Sequence, residues 1–494
     1  RVPSLIEPAW YGDEGICAAV AREMSRGEIL YKDIWDHKPP GIYYIYLFSS
    51  YFGDSQIFIY KLINIFLGLG TLYFAFRIAR NIFKKSLAQN VAVASVTFLL
   101  GSFYLEGNIL NTENVFIFFS SLAVFFYLNW RRQKFAAART FLIALIFGIG
   151  FLFKFQILFD AFFLLILIIL QNYRQSNNSN SFLFSQTKLI LIYIFGIILP
   201  IGIFSLFYFV SGNFYYLWEA LILYNLKYSD ALIINSYSQI LIGDIPALKT
   251  IFSILITLFL CILFLTKKIS RKSIFIILWT IFSFLAVKST GKPYAHYLLQ
   301  MVIPISLSLA FIINYLQSKG KIDLFRISLG LLFIYIPLNL FISGTFRFIG
   351  YLKPTYYSSG YLKIIGLKTA KEWNAEFIES ATLIDNLSEW LSDLENREIF
   401  IYANTPWIFT EANLGNPVPY TVYFHMNDEY SDEVLRLLKS KPPELILVED
   451  KWYQERELKK FIKSNYDVER TLKYDEKNFS LWHKNGDQGK NNSQ

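Results

Sequence analysis

The stretch 189–210, LILIYIFGIILPIGIFSLFYFV, decides the class of the fold. It contains no charged side chain, and it is longer than the roughly 20 mostly apolar residues that a helix needs to cross the hydrocarbon core of a bilayer. Apolar runs of this length are typical of membrane-spanning helices rather than of helices buried in soluble proteins. The sequence therefore predicts that the chain crosses a membrane.

Similar apolar stretches recur between residues 57 and 344, and they account for a hydrophobic content of 54% over 494 residues. Soluble domains usually contain about 45–50%. The fourth and fifth stretches nearly fuse at Lys154, which predicts a tight re-entry there. The breaks in the pattern predict ten spans, at 57–76, 88–105, 114–130, 140–153, 155–171, 189–210, 247–266, 273–289, 297–316 and 327–344.

Basic residues occupy every second connection between these spans, beginning with Arg77, Arg80, Lys84 and Lys85 and then Arg131, Arg132, Lys134 and Arg139. The opposite connections are acidic. Because Lys and Arg stay on the cytoplasmic side of membranes, the basic connections are predicted to be cytoplasmic. This pattern explains much of the net charge of +9 without invoking nucleic acid. With ten spans both ends lie outside the cytoplasm, so we expect a further spanning helix upstream of Arg1.

The predicted fold is mainly α, a polytopic transmembrane helix bundle with external amphipathic helices, followed by a small extracytoplasmic α/β domain. Strands are predicted at Ile399–Ala403 and Leu445–Val448, with helices at 378–395, 430–440 and 452–464. The predicted regions are a first external loop at 1–56 with interfacial helices at 13–26 and 41–52, the bundle at 57–344, a linker at 345–369, the α/β domain at 370–485 and a disordered tail at 486–494.

Ionisable groups in or beside a membrane domain are costly and suggest function by default. Each group here also has a plain structural alternative, such as a helix cap, a proline turn, a boundary residue, a snorkelling lysine or a polar loop. Five groups fall on the predicted external side: Asp13-Glu14, His37-Lys38 before Pro39-Pro40, Glu113, Lys154, and Lys292 through Tyr297 with Tyr294 and His296.

Sugar transfer from a lipid phosphate needs both kinds of charge in this set. The departing phosphate gains negative charge and requires fixed cations, for which Lys38, Lys154 and Lys292 are the candidates. The attacking hydroxyl must lose a proton to a positioned base, for which the carboxylates at Asp13-Glu14 are suited. His37 is a candidate second donor or metal ligand. The aromatic and histidine side chains Tyr294, His296 and Tyr297 are candidate substrate contacts.

The pattern resembles the GT-C glycosyltransferases, specifically the superfamily of protein O-mannosyltransferases and lipid A aminoarabinose transferases. The resemblance covers about residues 1–345 in order and spacing. The segments that carry it are Asp13-Glu14, Arg22-Glu23, Gly27, Leu30-Tyr31, Lys38-Pro39-Pro40, Thr112-Glu113-Asn114 before Phe118-Phe119, Leu152-Phe153-Lys154, and Lys292-Pro293-Tyr294 through Tyr297 and Pro304.

This resemblance implies a polyprenyl-phosphate sugar donor, an external active site in the cell membrane, an extracytoplasmic acceptor and inversion at the anomeric carbon. It implies that Asp13 is the catalytic carboxylate and Glu113 the second acid, while Lys38 and Lys154 bind the donor phosphate. It carries over no cofactor and leaves the use of a divalent metal open. Relatives often have Asp at the position of Glu113, and some have an acid at the position of His37.

A transporter or flippase is the alternative from another class. Transporters tend to carry charges near the bilayer midplane and repeated halves, whereas here most charges lie at the external ends of spans and no repeat is visible. A membrane anchor needs far fewer spans. A glycan polymerase or ligase is the nearest rival among enzymes, and the loop that carries Asp13 and Lys38 argues against it.

The predicted topology is tested by tagging the chain near Ser4 and at its C-terminus. Both tags should be inaccessible to reagents confined to the cytoplasm, because the basic connections hold the other side of the bundle there. Accessibility is measured by impermeant labelling of sealed cells and of inverted vesicles. Labelling of the C-terminal tag from the cytoplasm would contradict both the span count and the external site.

Overall fold

The computed structural model describes residues 1–130, 136–173, 179–227, 271–290, 294–318, 352–377, 380–395, 397–426, 430–451 and 456–485. These residues form two compact units. Unit 1 comprises Arg1–Val2, Lys61–Gly212 and Leu223–Tyr351, and unit 2 comprises Pro3–Tyr60, Asn213–Ile222 and Leu352–Gln494. The predicted first external loop and the predicted C-terminal domain therefore belong to the same unit, although the bundle separates them in sequence.

The described helices are numbered in chain order. They are α1 (Gly12–Ser25), α2 (Gly41–Ser50), α3 (Gln56–Ile82), α4 (Ser86–Gly101), α5 (Thr112–Trp130), α6 (Ala137–Phe151), α7 (Ile157–Tyr173), α8 (Ser179–Val210), α9 (Phe214–Trp218), α10 (Arg271–Ser289), α11 (Val302–Ser318), α12 (Tyr356–Ile364), α13 (Ala370–Asn374), α14 (Ser380–Trp390), α15 (Ile408–Glu411), α16 (Ser431–Ser440) and α17 (Arg456–Asn465). The strands are β1 (Ile399–Tyr402), β2 (Leu445–Glu449), β3 (Tyr466–Tyr474) and β4 (Lys477–Lys484).

The predicted spans coincide with α3 to α8, α10 and α11, except for 247–266 and 327–344, which lie outside the described residues. The span predicted at 297–316 begins as a 3₁₀ helix, Ala295–Met301, and becomes α-helical at Val302. Proline is tolerated in the first turn of an α-helix, and Pro304 lies in the first turn of α11. Among the described residues, the helices long and apolar enough to cross a membrane are Gly53–Ile82, Thr112–Trp130, Gln186–Val210, Lys272–Ser289 and Ala295–Tyr315. The chain is a multi-pass membrane protein.

Small residues let α6 and α8 pack with their backbones close together. A Cβ added at Gly148 would meet the carbonyl oxygen of Ile197 at 2.5 Å, and one added at Gly196 would meet the Cβ of Ala144 at 2.6 Å. Close approach through small residues is how membrane helices gain packing energy, since burying apolar area gives no advantage in lipid. Larger side chains at either glycine would push these helices apart.

A buried carboxylate joins several helices of unit 1. Asp160 on α7 is 1% exposed and accepts hydrogen bonds from Ser120 on α5 (2.6 Å) and from Trp279 on α10 (3.1 Å). The Ser283 hydroxyl and the Gln300 amide complete its shell at 3.3 and 3.4 Å. A polar group buried among apolar side chains is costly unless it is hydrogen-bonded, so this network favours one arrangement of the helices.

The sheet of unit 2 has the strand order β1-β2-β4-β3. Strands β1 and β2 are parallel, with Ile399 opposite Leu445, and the other pairs are antiparallel. The two apolar runs that the sequence predicts as strands are these fully buried parallel strands. The hairpin of β3 and β4 was not predicted, because β3 is largely exposed and polar and lacks an apolar run.

Helix α1 is a core helix of unit 2. Its residues Glu14 to Ala21 are buried, and Ala19 packs in the same apolar cluster as Leu387 of α14 and Ile401 of β1. The sequence predicts that 13–26 lies along the membrane surface, but its apolar face is already covered by protein.

Helix α2 differs from α1, because Tyr44, Phe48 and the following Tyr51 are 45%, 54% and 72% exposed. An interfacial position for α2 stays a prediction.

The tight contact between α1 and Trp407, just before α15, predicts that two glycine variants differ in stability. A Cβ at Gly15 would meet Trp407 Cδ1 at 2.7 Å, whereas a Cβ at Gly12 would meet nothing within 4 Å. Both Gly→Ala changes gain helix propensity, so their difference isolates the clash. We expect Gly15→Ala to be less stable than Gly12→Ala by about 1–3 kcal/mol, the usual cost of overpacking. Thermal unfolding of the purified chains measures this, and equal melting temperatures would contradict the contact.

Candidate active site

In unit 2, an exposed carboxylate and a buried carboxylate meet at one lysine. Lys38 Nζ lies 3.0 Å from Asp36 Oδ2 and 3.5 Å from Asp13 Oδ1. The Asp36 side chain is completely buried, whereas that of Asp13 is 37% exposed. We call Asp13, Asp36, His37, Lys38 and His425 the Lys38 cluster.

Asp13 is placed by the first turn of α1. The residue at the N-cap position is Tyr11, in an extended conformation and without a side-chain cap, so the capping alternative for Asp13 does not hold. The free N–H groups of a first helical turn favour a negative charge there. The adjacent Glu14 is only 1% exposed. Of the two neighbouring acids, Asp13 is therefore the one that a substrate could reach.

Lys38 is placed by a rigid segment. Pro40 precedes the first residue of α2 with a φ of −67°, a value to which its ring restricts it. The Tyr31 hydroxyl donates to the Lys38 carbonyl oxygen at 2.9 Å. On the other side, the Trp35 amide donates to the Pro419 carbonyl oxygen at 2.8 Å. This last contact brings the C-terminal part of unit 2 up to residues 36–38.

Electrostatics fix the charges at the centre of the Lys38 cluster. Burial alone would raise the pKa of Asp36, but the Lys38 ammonium and the hydrogen bond with His37 outweigh it and hold that pKa well below its usual range. Burial alone would lower the pKa of Lys38, but Asp36 and Asp13 hold it well above its usual range. At neutral pH both groups are therefore ionised, and the lysine is a dependable cation.

His425 completes a set of ligands suited to a divalent metal ion. It is 1% exposed, and neither ring nitrogen has a hydrogen-bond partner within the described part of the chain. His37 Nδ1 and His425 Nε2 lie 3.0 and 3.8 Å from Asp36 Oδ1. Ligand atoms of all three side chains lie within 4.8 Å of one another.

The protonation state of His425 suits metal binding. Burial, only partly opposed by the Asp36 carboxylate, lowers the pKa of His425 to about 3. The imidazole is therefore neutral at physiological pH, which is the form that binds metals. One carboxylate oxygen and two imidazole nitrogens are ligands that Zn²⁺ accepts. A buried histidine whose ring nitrogens have no hydrogen-bond partner among the described residues can offer one of them to a metal ion.

In unit 1, a second group of charges surrounds Lys154. Lys154 lies in the turn between α6 and α7, as the sequence predicts, and its Nζ is 2.8 Å from Glu113 Oε1. The Nζ also lies 4.7 Å from the centre of the Tyr297 ring. The Thr112 hydroxyl donates to the other Glu113 oxygen at 2.9 Å. Lys154 is thus paired with a carboxylate, which differs from the snorkelling alternative.

His296 lies between two carboxylates of unit 1. Its Nδ1 is 2.8 Å from Glu106 Oε2, and its Nε2 is 4.0 Å from Glu113 Oε1. The Asn111 amide holds Glu106 at 3.0 Å, and the Tyr294 ring stacks on the imidazole at 5.6 Å. A carboxylate on one ring nitrogen fixes the orientation of an imidazole. We call Glu106, Glu113, Lys154, His296 and Tyr297 the Lys154 cluster.

The structure thus gathers Asp13, His37 and Lys38 in one unit and Glu113, Lys154, His296, Tyr294 and Tyr297 in the other. Glu14 is buried, and Lys292 lies outside the described residues. Sequence reasoning missed Asp36, Glu106 and His425. Asp36 could have been found from its position beside His37, and Glu106 from its membrane-boundary position. His425 gives no local signal, because it comes from a distant part of the chain.

These features define a class: a multi-pass helical membrane protein with an α/β unit and paired cations and carboxylates. Residues 36–204 match the model of the family described as dolichyl-phosphate-mannose-protein mannosyltransferase. No curated protein matches the chain in sequence.

Solved structures of ArnT share the fold over nearly the whole chain. The crystal structure of ArnT from Cupriavidus metallidurans bound to undecaprenyl phosphate has a TM-score of 0.58 and 12% identity, covering 97% of this chain and 95% of that one. The crystal structure of ArnT from Cupriavidus metallidurans in the apo state has a TM-score of 0.54 and 13% identity, covering 95% of this chain and 93% of that one. The archaeal oligosaccharyltransferase AglB from Archaeoglobus fulgidus has a TM-score of 0.47 and 13% identity, covering 90% of this chain and 66% of that one. The chain is thus similar in fold to ArnT, and its residues 36–204 are similar to the mannosyltransferase family.

The ion pair between Lys154 and Glu113 predicts that substitutions of the two residues have non-additive effects on the melting temperature. Lys154→Met leaves the Glu113 carboxylate, which is 3% exposed, without its cation. Breaking a buried pair costs about 3–5 kcal/mol, so the variant should melt at a clearly lower temperature. Adding Glu113→Gln removes the stranded charge and should restore much of the loss. Lys188→Met, at an exposed lysine of α8, is the matched control and should hardly change the melting temperature. Additive losses in the double variant would show that the two side chains are not coupled.

Proposed function

We propose that the chain transfers a sugar from a polyprenyl-phosphate donor to a hydroxyl-bearing extracytoplasmic acceptor, with inversion at the anomeric carbon. The observation that carries this proposal is the Lys38 cluster, where an accessible carboxylate lies 3.5 Å from a lysine that stays charged. The match of residues 36–204 to the mannosyltransferase family model supports glycosyl transfer, and ArnT, which has a similar fold, was crystallised with undecaprenyl phosphate. A protein hydroxyl, a glycolipid and a growing cell-wall glycan are the acceptor classes that fit this chemistry.

Asp13 is the proposed general base. In the transfer, the acceptor oxygen forms a bond to the anomeric carbon while the bond from that carbon to the phosphate oxygen breaks. The proton of the acceptor hydroxyl passes to the Asp13 carboxylate, and the polyprenyl phosphate leaves with the electron pair. Asp13 suits this role because 37% of its side chain is exposed and its carboxylate lies 3.5 Å from Lys38 Nζ.

Lys38 is the proposed cation for the departing phosphate. Its Nζ is held by the buried Asp36 on one side, so the ammonium is fixed in place before the donor binds. Fixed charges stabilise a transition state better than mobile ones, because they need no reorganisation during the reaction. The ionised Asp36 also ensures that the lysine does not lose its proton within this partly buried environment.

Asp36, His37 and His425 are the proposed ligands of a divalent metal ion. An ion held by these residues would supply positive charge near Lys38. Asp36 also contacts Lys38 directly and lies beside His37 and His425, so these residues orient the segment 36–38. The proposal explains why a histidine with unpartnered ring nitrogens is buried beside a carboxylate.

In unit 1, Lys154 is proposed as a phosphate contact and Glu113 as the carboxylate that positions it. The 2.8 Å ion pair and the Tyr297 ring fix the ammonium from two directions. Glu106 and His296 extend this network, so that a change at Glu106 would act through the imidazole rather than by touching the donor. His296, Tyr294 and Tyr297 remain proposed substrate contacts.

Asp13→Asn tests the proposed base. The change keeps the size of the side chain and removes its ability to accept a proton. We expect transferase turnover to fall by roughly 10²–10⁴-fold, the usual contribution of a positioned base, with little change in melting temperature. Glu28→Gln, at an exposed acid of the same unit, is the matched control and should keep normal turnover. A folded Asp13→Asn protein with near-normal turnover would remove Asp13 from the mechanism.

The proposed metal site is tested by elemental analysis of the purified chain. The wild type should hold a divalent ion that chelators remove, and the loss should lower the melting temperature because the ion binds only the folded state. His425→Ala should abolish this ion and its stabilising effect. His483→Ala is the control, since His483 lies in the same unit but is partly exposed and lies next to Glu444 instead. Equal metal contents in both histidine variants would contradict the assignment.

A further inference from the structure

Unit 2 exposes a compact group of apolar side chains at the end of α12 and in the turn that follows. These residues lie within one short segment that also contains Lys363 and Gly366. We call the group the apolar tip; it comprises Tyr361, Leu362, Ile364, Ile365 and Leu367, which are 51%, 37%, 45%, 66% and 72% exposed. Apolar patches on a surface usually mark a site of interaction with protein or membrane.

The opposite face of α12 is firmly packed. A Cβ at Gly360 would meet the Pro3 side chain at 2.4 Å and the Trp373 ring at 3.0 Å. The Tyr356 hydroxyl donates to the buried Glu7 carboxylate, and the Trp373 indole donates to the Ile6 carbonyl oxygen at 2.7 Å. The exposed tip is therefore carried by a well-anchored helix.

Hydrogen bonds also fix the turn after α12. Gly366 has a φ of +79°, a conformation that side chains other than glycine rarely adopt. The Leu367 amide donates to the Leu362 carbonyl oxygen at 2.8 Å, and the Gly366 amide donates to that of Lys363 at 3.1 Å. Beyond the turn, Lys368 is held by Glu376 at 3.2 Å. The backbone thus presents Ile365 and Leu367 outward in a fixed form.

Lysines flank the apolar tip along the sequence. Lys353 precedes α12, Lys363 lies within the tip, and Lys371 follows it on α13; the first and last are exposed. Apolar and aromatic side chains with flanking lysines are the pattern of segments that lie in a membrane interface, where the lysines meet anionic head groups. The chain is a multi-pass membrane protein, and residues 345–355 separate α12 from a span predicted by the sequence. A bilayer surface is therefore within reach.

We propose that the apolar tip inserts into the interfacial region of the phospholipid bilayer, with Lys353, Lys363 and Lys371 facing anionic head groups. The tip holds unit 2 at the membrane surface, and this role does not depend on the reaction proposed above. A protein partner, or a second copy of the chain, would cover the same residues without lipid contact, and the experiment distinguishes these cases.

The experiment places a fluorescent reporter in the full chain. A background of Cys17→Ser and Cys261→Ser leaves Tyr361→Cys as the single site for an environment-sensitive dye. The labelled protein is reconstituted in nanodiscs of phosphatidylcholine and phosphatidylglycerol, with and without doxyl-labelled lipid. A reporter at Ser440→Cys, exposed on α16 of the same unit, is the matched control. Retention of the wild-type melting temperature checks that each labelled chain is folded.

We expect the dye at residue 361 to show blue-shifted emission and strong quenching by the doxyl lipid, whereas the dye at residue 440 is quenched by aqueous iodide alone. Ile365→Asn with Leu367→Asn should abolish the lipid quenching at residue 361. Val468→Asn, at an exposed apolar residue of β3, should not. Iodide quenching at residue 361 equal to that at residue 440 would overturn the proposal. Protection from both quenchers would show that protein covers the tip and would overturn it as well.

Discussion

Both charged clusters depend on one constraint: an ionised carboxylate removed from water needs a cation or a full set of hydrogen bonds, and in each cluster a lysine supplies the cation. Asp36 is fully buried and Glu113 nearly so, and each is paired with a lysine that also borders more accessible space. Breaking either pair would leave an uncompensated buried charge, so the pairs fix their lysines before any substrate arrives. The ammonium groups of Lys38 and Lys154 are therefore held in place. Fixed cations of this kind suit the proposed reaction, because they need not move as a phosphate is released.

The local part of the site could be predicted from sequence because its residues are close together along the chain. Asp13, His37 and Lys38 lie in one loop with a rigid Pro-Pro corner, and Lys154 interrupts an apolar stretch where a charge is conspicuous. His425 could not be found in this way, since only the fold brings it to Asp36. The sequence contains only 4 histidines, and this scarcity makes each of them a candidate for a specific role.

The fold was predictable where a single physical rule dominates. Long apolar runs predict membrane helices, and short, fully buried runs predict β1 and β2, because both patterns are set by exclusion of water. The rule fails for α1 and for the hairpin of β3 and β4. Helix α1 has the short apolar face of an interfacial helix, yet unit 2 buries that face against Leu387 and Ile401. Strand β3 is exposed and polar, so pairing with β4 rather than its own pattern determines it.

Transfer of a labelled sugar tests the central claim most directly. Membranes that contain the full-length protein, and matched membranes that contain Asp13→Asn, are incubated with a panel of radiolabelled polyprenyl-phosphate sugars, and the products are separated from the donor lipid. The account predicts that label from at least one donor moves to a product other than the polyprenyl lipid, and that this transfer depends on Asp13. If no donor yields product while the intact labelled lipid crosses the membrane, the chain is a flippase and the account is wrong.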